Sequence, residues 1–446
     1  MSPNKAEIVE RNKASTLASW TAQGAWNPLT MQRAEGVYFW DHDGKRILDW
    51  SSQLINVNIG HGNPKVIKAI QDQAASLTYA YPGIATEPRA RLAEMLRDIA
   101  PGELSKTFFT LGGADAIENA MKIARLYTGR QKVLARYRSY HGATFGAMSA
   151  GGDPRRLANE PGVPWIVHIH DPYAYRSPIY RGRSAEEGDA ALADLIEETV
   201  HFEGPENVAA ILLEGYSGTS GILQGGDVFW QRIQQICDQY GILLIADEVM
   251  SGFGRTGEWF GVDHYPFLKP DLMVMAKGLT SGYVPLGAVM VTDQVASHFE
   301  DHTLWAGLTY SAHALACAAG IANIEVYQEE NLIERSRQMG KVLRSGLLEL
   351  AEDHPSVGDV RGTGLHQVIE LVKDRESREP LSGFNQPLSE AMSAVAASLR
   401  SQGLSTFVRW NWIFNCPPLT ISEAQIREGL DMIGNALKEA DRFYEG

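Results

Sequence analysis

The sequence predicts an α/β protein, with a large domain on a mostly parallel sheet followed by a smaller α+β domain. Three observations predict it. Between about residues 65 and 320, apolar strand-like runs alternate with helical periodicity, the pattern of a doubly wound sheet. Two of the runs, Ile242 to Ala246 and Leu272 to Ala276, are short, aliphatic and bounded by Gly, Pro or Asp, as buried parallel strands are. A further run, Lys106 to Leu111, passes through Gly112-Gly113 into a helical pattern from Asp115, with Ile117, Met121 and Ala124 on one face.

Length and composition fit that class. At 446 residues the chain can bury a large core, and 44% hydrophobic with 21% charged residues is ordinary for a globular protein. A net charge of −14 disfavours a nucleic-acid surface or an anionic membrane as partner. The polar start, MSPNKAEIVERNKAS, does not read as a secretory signal, and no apolar run is long enough to cross a membrane. Cys237, Cys317 and Cys416 stand far apart, without the spacing of a disulfide framework or a zinc site, so no metal is expected. The expectation is a cytoplasmic enzyme.

Taken in order, the first 35 residues turn from polar to aromatic, with Trp20 and Trp26 either packing an arm onto the body or entering a substrate pocket. Asp43-Gly44, between Tyr38-Trp40 and Ile47-Leu48, predicts a hairpin. Gly60-His61-Gly62 predicts a turn before a helix. His61 reads as a turn or capping residue, because no second His or Cys stands at metal spacing. The Gly-rich turn at 112–113, at a helix N-terminus, offers backbone N–H groups and a positive dipole end to a phosphate. Residues 151–188 lack periodicity and are expected to be irregular. From about 325 a charged amphipathic helix connects to the smaller domain, where STFVRWNWIFN reads as a closing strand. No internal repeat appears.

The chemistry is concentrated where the two apolar runs end. One ends in Asp247-Glu248 and the other, 30 residues on (277 − 247), in Lys277. Parallel sheets bind ligands outside the carboxyl ends of their strands. An isolated Asp and Lys would ordinarily be a salt bridge or solvated ends. Here the apolar flank of Lys277 would depress its pKa, giving an uncharged amine nucleophilic toward carbonyls.

The run Asp247 to Gly257 (DEVMSGFGRTG), followed by Ala276 to Ala288 (AKGLTSGYVPLGA), resembles the class III aminotransferases, fold-type I enzymes dependent on pyridoxal 5′-phosphate (PLP). The resemblance covers nearly the whole chain. It implies an N-terminal segment of the small domain at 1–60, a PLP-binding major domain at 61–325 and the rest of the small domain at 326–446. Lys277 is then the catalytic lysine, and Asp247 the carboxylate that keeps the pyridine nitrogen protonated so that the ring is an electron sink. Gly113 and Ala114 fall at the phosphate turn. That turn often reads Ser-Gly-Ser/Thr-Glu in the family, so Ala114 leaves a backbone-only contact. Tyr140 is implied to stack on the ring, Val249 to pack against its opposite face and His141 to lie nearby. Glu214 is placed on the pyridine side or as a loop anchor.

Thr309, in Gly-x-Thr-Tyr-Ser-x-His, is implied to reach the phosphate of a neighbouring subunit, although Ala312-His313-Ala314 replaces the family's Gly-His-Pro. A homodimer with shared sites follows, alone or as a dimer of dimers. Leu54, Ile55, Thr219, Arg409 and Trp410 are the implied substrate residues, with Arg409 on the carboxylate. The expected reaction moves an amino group from an ω-amine or ω-amino acid to a 2-oxo acid, with pyruvate as acceptor. The alternatives are 2-oxoglutarate as acceptor, or a PLP isomerase (racemase, epimerase or aminomutase).

Overall fold

Three runs of mostly aliphatic residues, too apolar to face water on either side, make the centre of the molecule: Val208–Glu214, Leu243–Asp247 and Leu272–Met275 are buried at every position. A computed structural model describes residues 4–446. In it the N-terminal part carries β1 (Arg33–Glu35), β2 (Tyr38–Trp40) and β3 (Arg46–Asp49). Seven strands then form the main sheet: β4 (Leu104–Thr110), β5 (Lys132–Arg136), β6 (Ile166–Ile169), β7 (Val208–Glu214), β8 (Leu243–Asp247), β9 (Leu272–Met275) and β10 (Gly287–Thr292). Their order is β4-β10-β9-β8-β7-β5-β6, and only β10 runs against the others. The C-terminal ends of β4, β5, β7, β8 and β9 therefore open on one edge.

The remaining strands are β11 (Val357–Thr363), β12 (His366–Leu371), β13 (Leu404–Ser405), β14 (Val408–Arg409) and β15 (Trp412–Asn415). The antiparallel order β11-β12-β15-β14 makes a second sheet. The short β13 pairs in parallel with β3, so chain from both ends shares one small sheet. The Asp43-Gly44 hairpin forms, pairing Tyr38 with Leu48. Gly44 takes φ +79° there, and the Asp41 carboxylate accepts the N–H groups of Asp43 and Lys45 at 2.9 Å. His61 accompanies its turn by bonding Asp49 Oδ2 through Nε2 at 2.8 Å.

Several expectations are corrected. The strand before the Gly-Gly turn spans Leu104–Thr110, and its helix starts at Gly113, because the first turn needs no apolar residue to form. The stretch 151–188 is not wholly irregular: it holds the edge strand β6 and a one-turn helix, Pro154–Leu157. Elements of four residues are too short to show a period. The single connector helix is two, Ala314–Glu329 and Leu332–Asp353, broken where Asn331 takes φ 49°. Asn tolerates that left-handed conformation better than most residues, which charge patterning does not reveal. The closing strand is a hairpin, β14 and β15, turned at Trp410 with φ 50°.

Candidate active site

At the edge where the parallel strands end, two cavities meet. The inner one, about 250 Å³, is lined by Gly113, Ala114, Tyr140, His141, Glu214, Thr219, Asp247, Val249 and Lys277 among others. The outer one, about 470 Å³, is lined by Trp20, Leu54, Ile55, Tyr140, Arg155, Thr219, Lys277, Arg409 and Trp410 among others. Tyr140, Thr219 and Lys277 belong to both. The inner chamber thus carries most of the ionisable side chains, and the outer is apolar with two guanidinium groups.

Lys277 follows β9 with φ 42°, a left-handed conformation that costs a non-glycine residue energy and turns the chain sharply at the cavity. Burial depresses its amine to about 8, against the pull of the Asp247 and Glu214 charges. Asp247 ends β8 and is 4% exposed. Its Oδ1 accepts the Val249 N–H at 3.0 Å, and its Oδ2 lies 2.7 Å from His141 Nδ1. An ionised carboxylate only accepts, so His141 donates from Nδ1 and fixes the orientation of Asp247. The other ring nitrogen, His141 Nε2, is buried without a partner.

Glu214 ends β7. One oxygen accepts the Gly218 N–H, the other is buried without a hydrogen bond, 3.9 Å from Arg136 Nη2, and burial raises its pKa. It therefore anchors the 214–218 loop and also faces the inner cavity. The helix Gly113–Thr128 starts without a side-chain cap, leaving its first N–H groups directed at that cavity. A Cβ on Gly113 would stand 3.0 Å from Val249 Cγ1, and one on Gly142 would stand 2.5 Å from Ala114 Cβ. The floor has no room for larger residues.

The structure brings together every sequence-predicted site residue except Thr309. That residue is exposed, lines neither cavity, and its carbonyl accepts the Tyr79 hydroxyl at 2.9 Å. Leu54 and Ile55 reach the outer cavity on a loop in which Ser52, Gln53 and Ile55 all have positive φ. Arg409 sits at the tip of the β14–β15 hairpin, over the Trp410 ring at 4.3 Å, with Nη2 3.2 Å from Asp153 Oδ2.

The sequence reading placed His141 near the site without its partner, and three further groups, Asp153, Arg155 and Arg255, escaped it. His141 lies 106 residues from its partner Asp247, a contact no local pattern encodes. Arg155 and Asp153 come from the stretch expected to be irregular, and the Arg155 guanidinium lies 3.8 Å from the centre of the Tyr140 ring. Arg255, fully buried, donates to Ser52 Oγ, Asn58 Oδ1, Leu365 O and Pro417 O at 3.1, 2.6, 3.1 and 2.5 Å. It ties the 52–58 loop, which reaches the outer cavity, to the backbone at Leu365 and Pro417.

The family profile described as aminotransferase class-III matches residues 21–437. The chain belongs to the class III aminotransferases. Putrescine–pyruvate aminotransferase of Pseudomonas aeruginosa is 35% identical, with 91% of this chain and 90% of that protein covered. Taurine–pyruvate aminotransferase of Bilophila wadsworthia is 34% identical, with 100% of each covered. Among solved structures, taurine:2-oxoglutarate aminotransferase from Bifidobacterium kashiwanohense, in complex with PLP and glutamate, superposes with a TM-score of 0.95 at 39% identity, covering 100% of both chains.

The class III cofactor is PLP, and the residues present fit it. The uncapped helix N-terminus suits a phosphate, Tyr140 and Val249 offer two ring faces, Asp247 suits a protonated ring nitrogen, and Lys277 is an amine at the junction. Bound there, PLP supplies a carbonyl for the amine to attack and a ring that accepts an electron pair. The protein's own residues do the rest. Lys277 Nζ, with its pKa near 8, can both hold and release a proton at working pH. Asp247 would hold a positively charged ring nitrogen, and His141 holds Asp247.

Proposed function

We propose that the protein moves the amino group of an ω-amino acid with a terminal acid group, carboxylate or sulfonate, to a 2-oxo acid, with pyruvate as acceptor. One observation carries this reading. Two guanidinium groups, Arg155 and Arg409, line the outer chamber and have a single carboxylate, Asp153, between them. Charge-assisted bonding to an anionic tail is what such a pair does best. Burial, and next the like charge of Arg155, pushes the pKa of Arg409 down, so an anion brought there is welcome. The taurine aminotransferase among its relatives, whose donor ends in a sulfonate, supports this choice of donor. 2-Oxoglutarate is the second acceptor, favoured by the likeness to the taurine:2-oxoglutarate enzyme.

The working unit of this reading is a homodimer. Thr309 lies on an exposed segment with Trp305 at 77% and Tyr310 at 56% exposure, near the exposed Tyr79. Aromatic residues left in water in this way suit an interface between copies, which would carry Thr309 to the partner's phosphate site. Three buried free thiols suit a reducing cytoplasm. The test is Arg409→Ala with pyruvate as acceptor. Its Michaelis constant should rise at least about tenfold, a loss of one charged hydrogen bond. The half-reaction with an acid-free amine should change far less, and equal losses for both would make Arg409 structural.

A further inference from the structure

The anion end of the outer chamber carries a carboxylate of its own. Asp153 is 3% exposed, and its two oxygens accept Arg155 Nε at 2.9 and 2.8 Å. Arg155 Nη2 also donates to Oδ2, and Arg409 Nη2 reaches the same oxygen at 3.2 Å. Neither arginine has another carboxylate within salt-bridge distance among the described residues. Two positive charges therefore share one negative charge, and the cluster carries a surplus of about one. Arg409 is partly open to the chamber at 15% side-chain exposure and Arg155 at 22%, whereas Asp153 is closed off at 5%.

From this geometry we infer that Asp153 is a specificity-setting residue: a built-in counter-anion that holds the arginine pair when the substrate has no acid group and yields it when the substrate has one. The inference rests on the proposed acid-tailed donor. A transaminase must accept different molecules in its two half-reactions, and a buried guanidinium left bare by an acid-free amine would be costly. Asp153 removes that cost without closing the chamber. The same carboxylate competes with every anionic tail for the same donors, so it trades affinity for acids against tolerance of amines.

Asp153 also has a plain local role, since it caps the one-turn helix Pro154–Leu157 by accepting the Arg155 N–H at 3.0 Å. Asparagine caps as well as aspartate, so Asp153→Asn removes the charge and keeps the cap. A counter-anion and a mere cap then predict different results.

The holoenzyme and its Asp153→Asn variant are compared in two ways. Calorimetry measures binding of ethanesulfonate and propionate, anions with no amine to react. Steady-state kinetics compares taurine and β-alanine with n-butylamine as donors. The inference predicts that Asp153→Asn binds both anions at least about fivefold more tightly and loses about tenfold in kcat/KM for butylamine, because the anion no longer competes and the cation pair is left bare. The preference for acid-tailed donors thus rises from both sides. Equal losses for all donors, or anion affinity unchanged, would overturn it and leave Asp153 a cap. Arg155→Gln serves as the separate control. If that variant binds the anions as the wild type does, the acid-tail reading itself fails. If it loses them while Asp153→Asn gains nothing, only the counter-anion role fails. Asp153→Ser, which also caps, repeats the comparison should the asparagine variant be unstable.

Discussion

Replacing Lys277 with methionine should stabilise the cofactor-free protein near neutral pH. The lysine is enclosed by the strand ends, and burial lowers its pKa from 10.5 to about 8. A lysine whose folded pKa is lowered binds its proton less tightly in the folded than in the unfolded chain. Below about 8 both states are protonated and the folded state carries the full cost. As pH rises from about 8 to 10.5 the folded state sheds the proton first, and the cost fades. The gap between 10.5 and about 8, at about 1.4 kcal/mol per tenfold, gives about 3 kcal/mol. That is an upper figure, because the amine still faces the cavity. Methionine is unbranched and close in length, so it fills the space without strain. The assay is denaturant unfolding of both apoproteins at pH 7 and pH 10. Lys277→Met should be more stable by up to about 3 kcal/mol at pH 7, with the advantage falling to about 1 kcal/mol at pH 10. An advantage that is absent at pH 7, or that grows with pH, would refute the depressed lysine.

Two further predictions concern the cofactor. Asp247→Asn should keep PLP but raise the barrier by about 3–5 kcal/mol, because the neutral amide no longer holds a positive charge at the ring nitrogen. Near-normal turnover of that variant, measured at saturating amine, would remove Asp247 from the chemistry. Thr309→Ala should weaken PLP retention by about 1–2 kcal/mol, one hydrogen bond to a charged group, and Ala114 offers no hydroxyl in compensation. Equilibrium dialysis checks it, and a fully active monomer would show that Thr309 serves no neighbouring chain.

What could be read in the sequence follows from how local the physics is. The ends of β8 and β9, with Asp247 and Lys277, were legible because a buried strand needs a continuous apolar run, and a charge that stops such a run stands out. The hairpin at Asp43-Gly44 was legible because its turn demands positive φ. The contact of His141 with Asp247 was not, since it depends on how β5 and β8 are spaced across the sheet. Arg155 and Asp153 were hidden for another reason. They sit on a single helical turn in a stretch of glycine, proline and arginine, where neither period nor length marks an element. The break at Asn331 was missed because a run of charged residues on both sides favours helix, and one left-handed residue outweighs them.

The central claim is a net transfer of an amino group from an acid-tailed amine to a 2-oxo acid, dependent on Lys277. The most direct test incubates the PLP-loaded protein with taurine or β-alanine and pyruvate, and follows each coproduct. One alanine should appear for each donor amine lost, and none with Lys277→Ala. Conversion of an amino substrate to its isomer with no alanine formed, or alanine formation that persists in Lys277→Ala, would contradict the account.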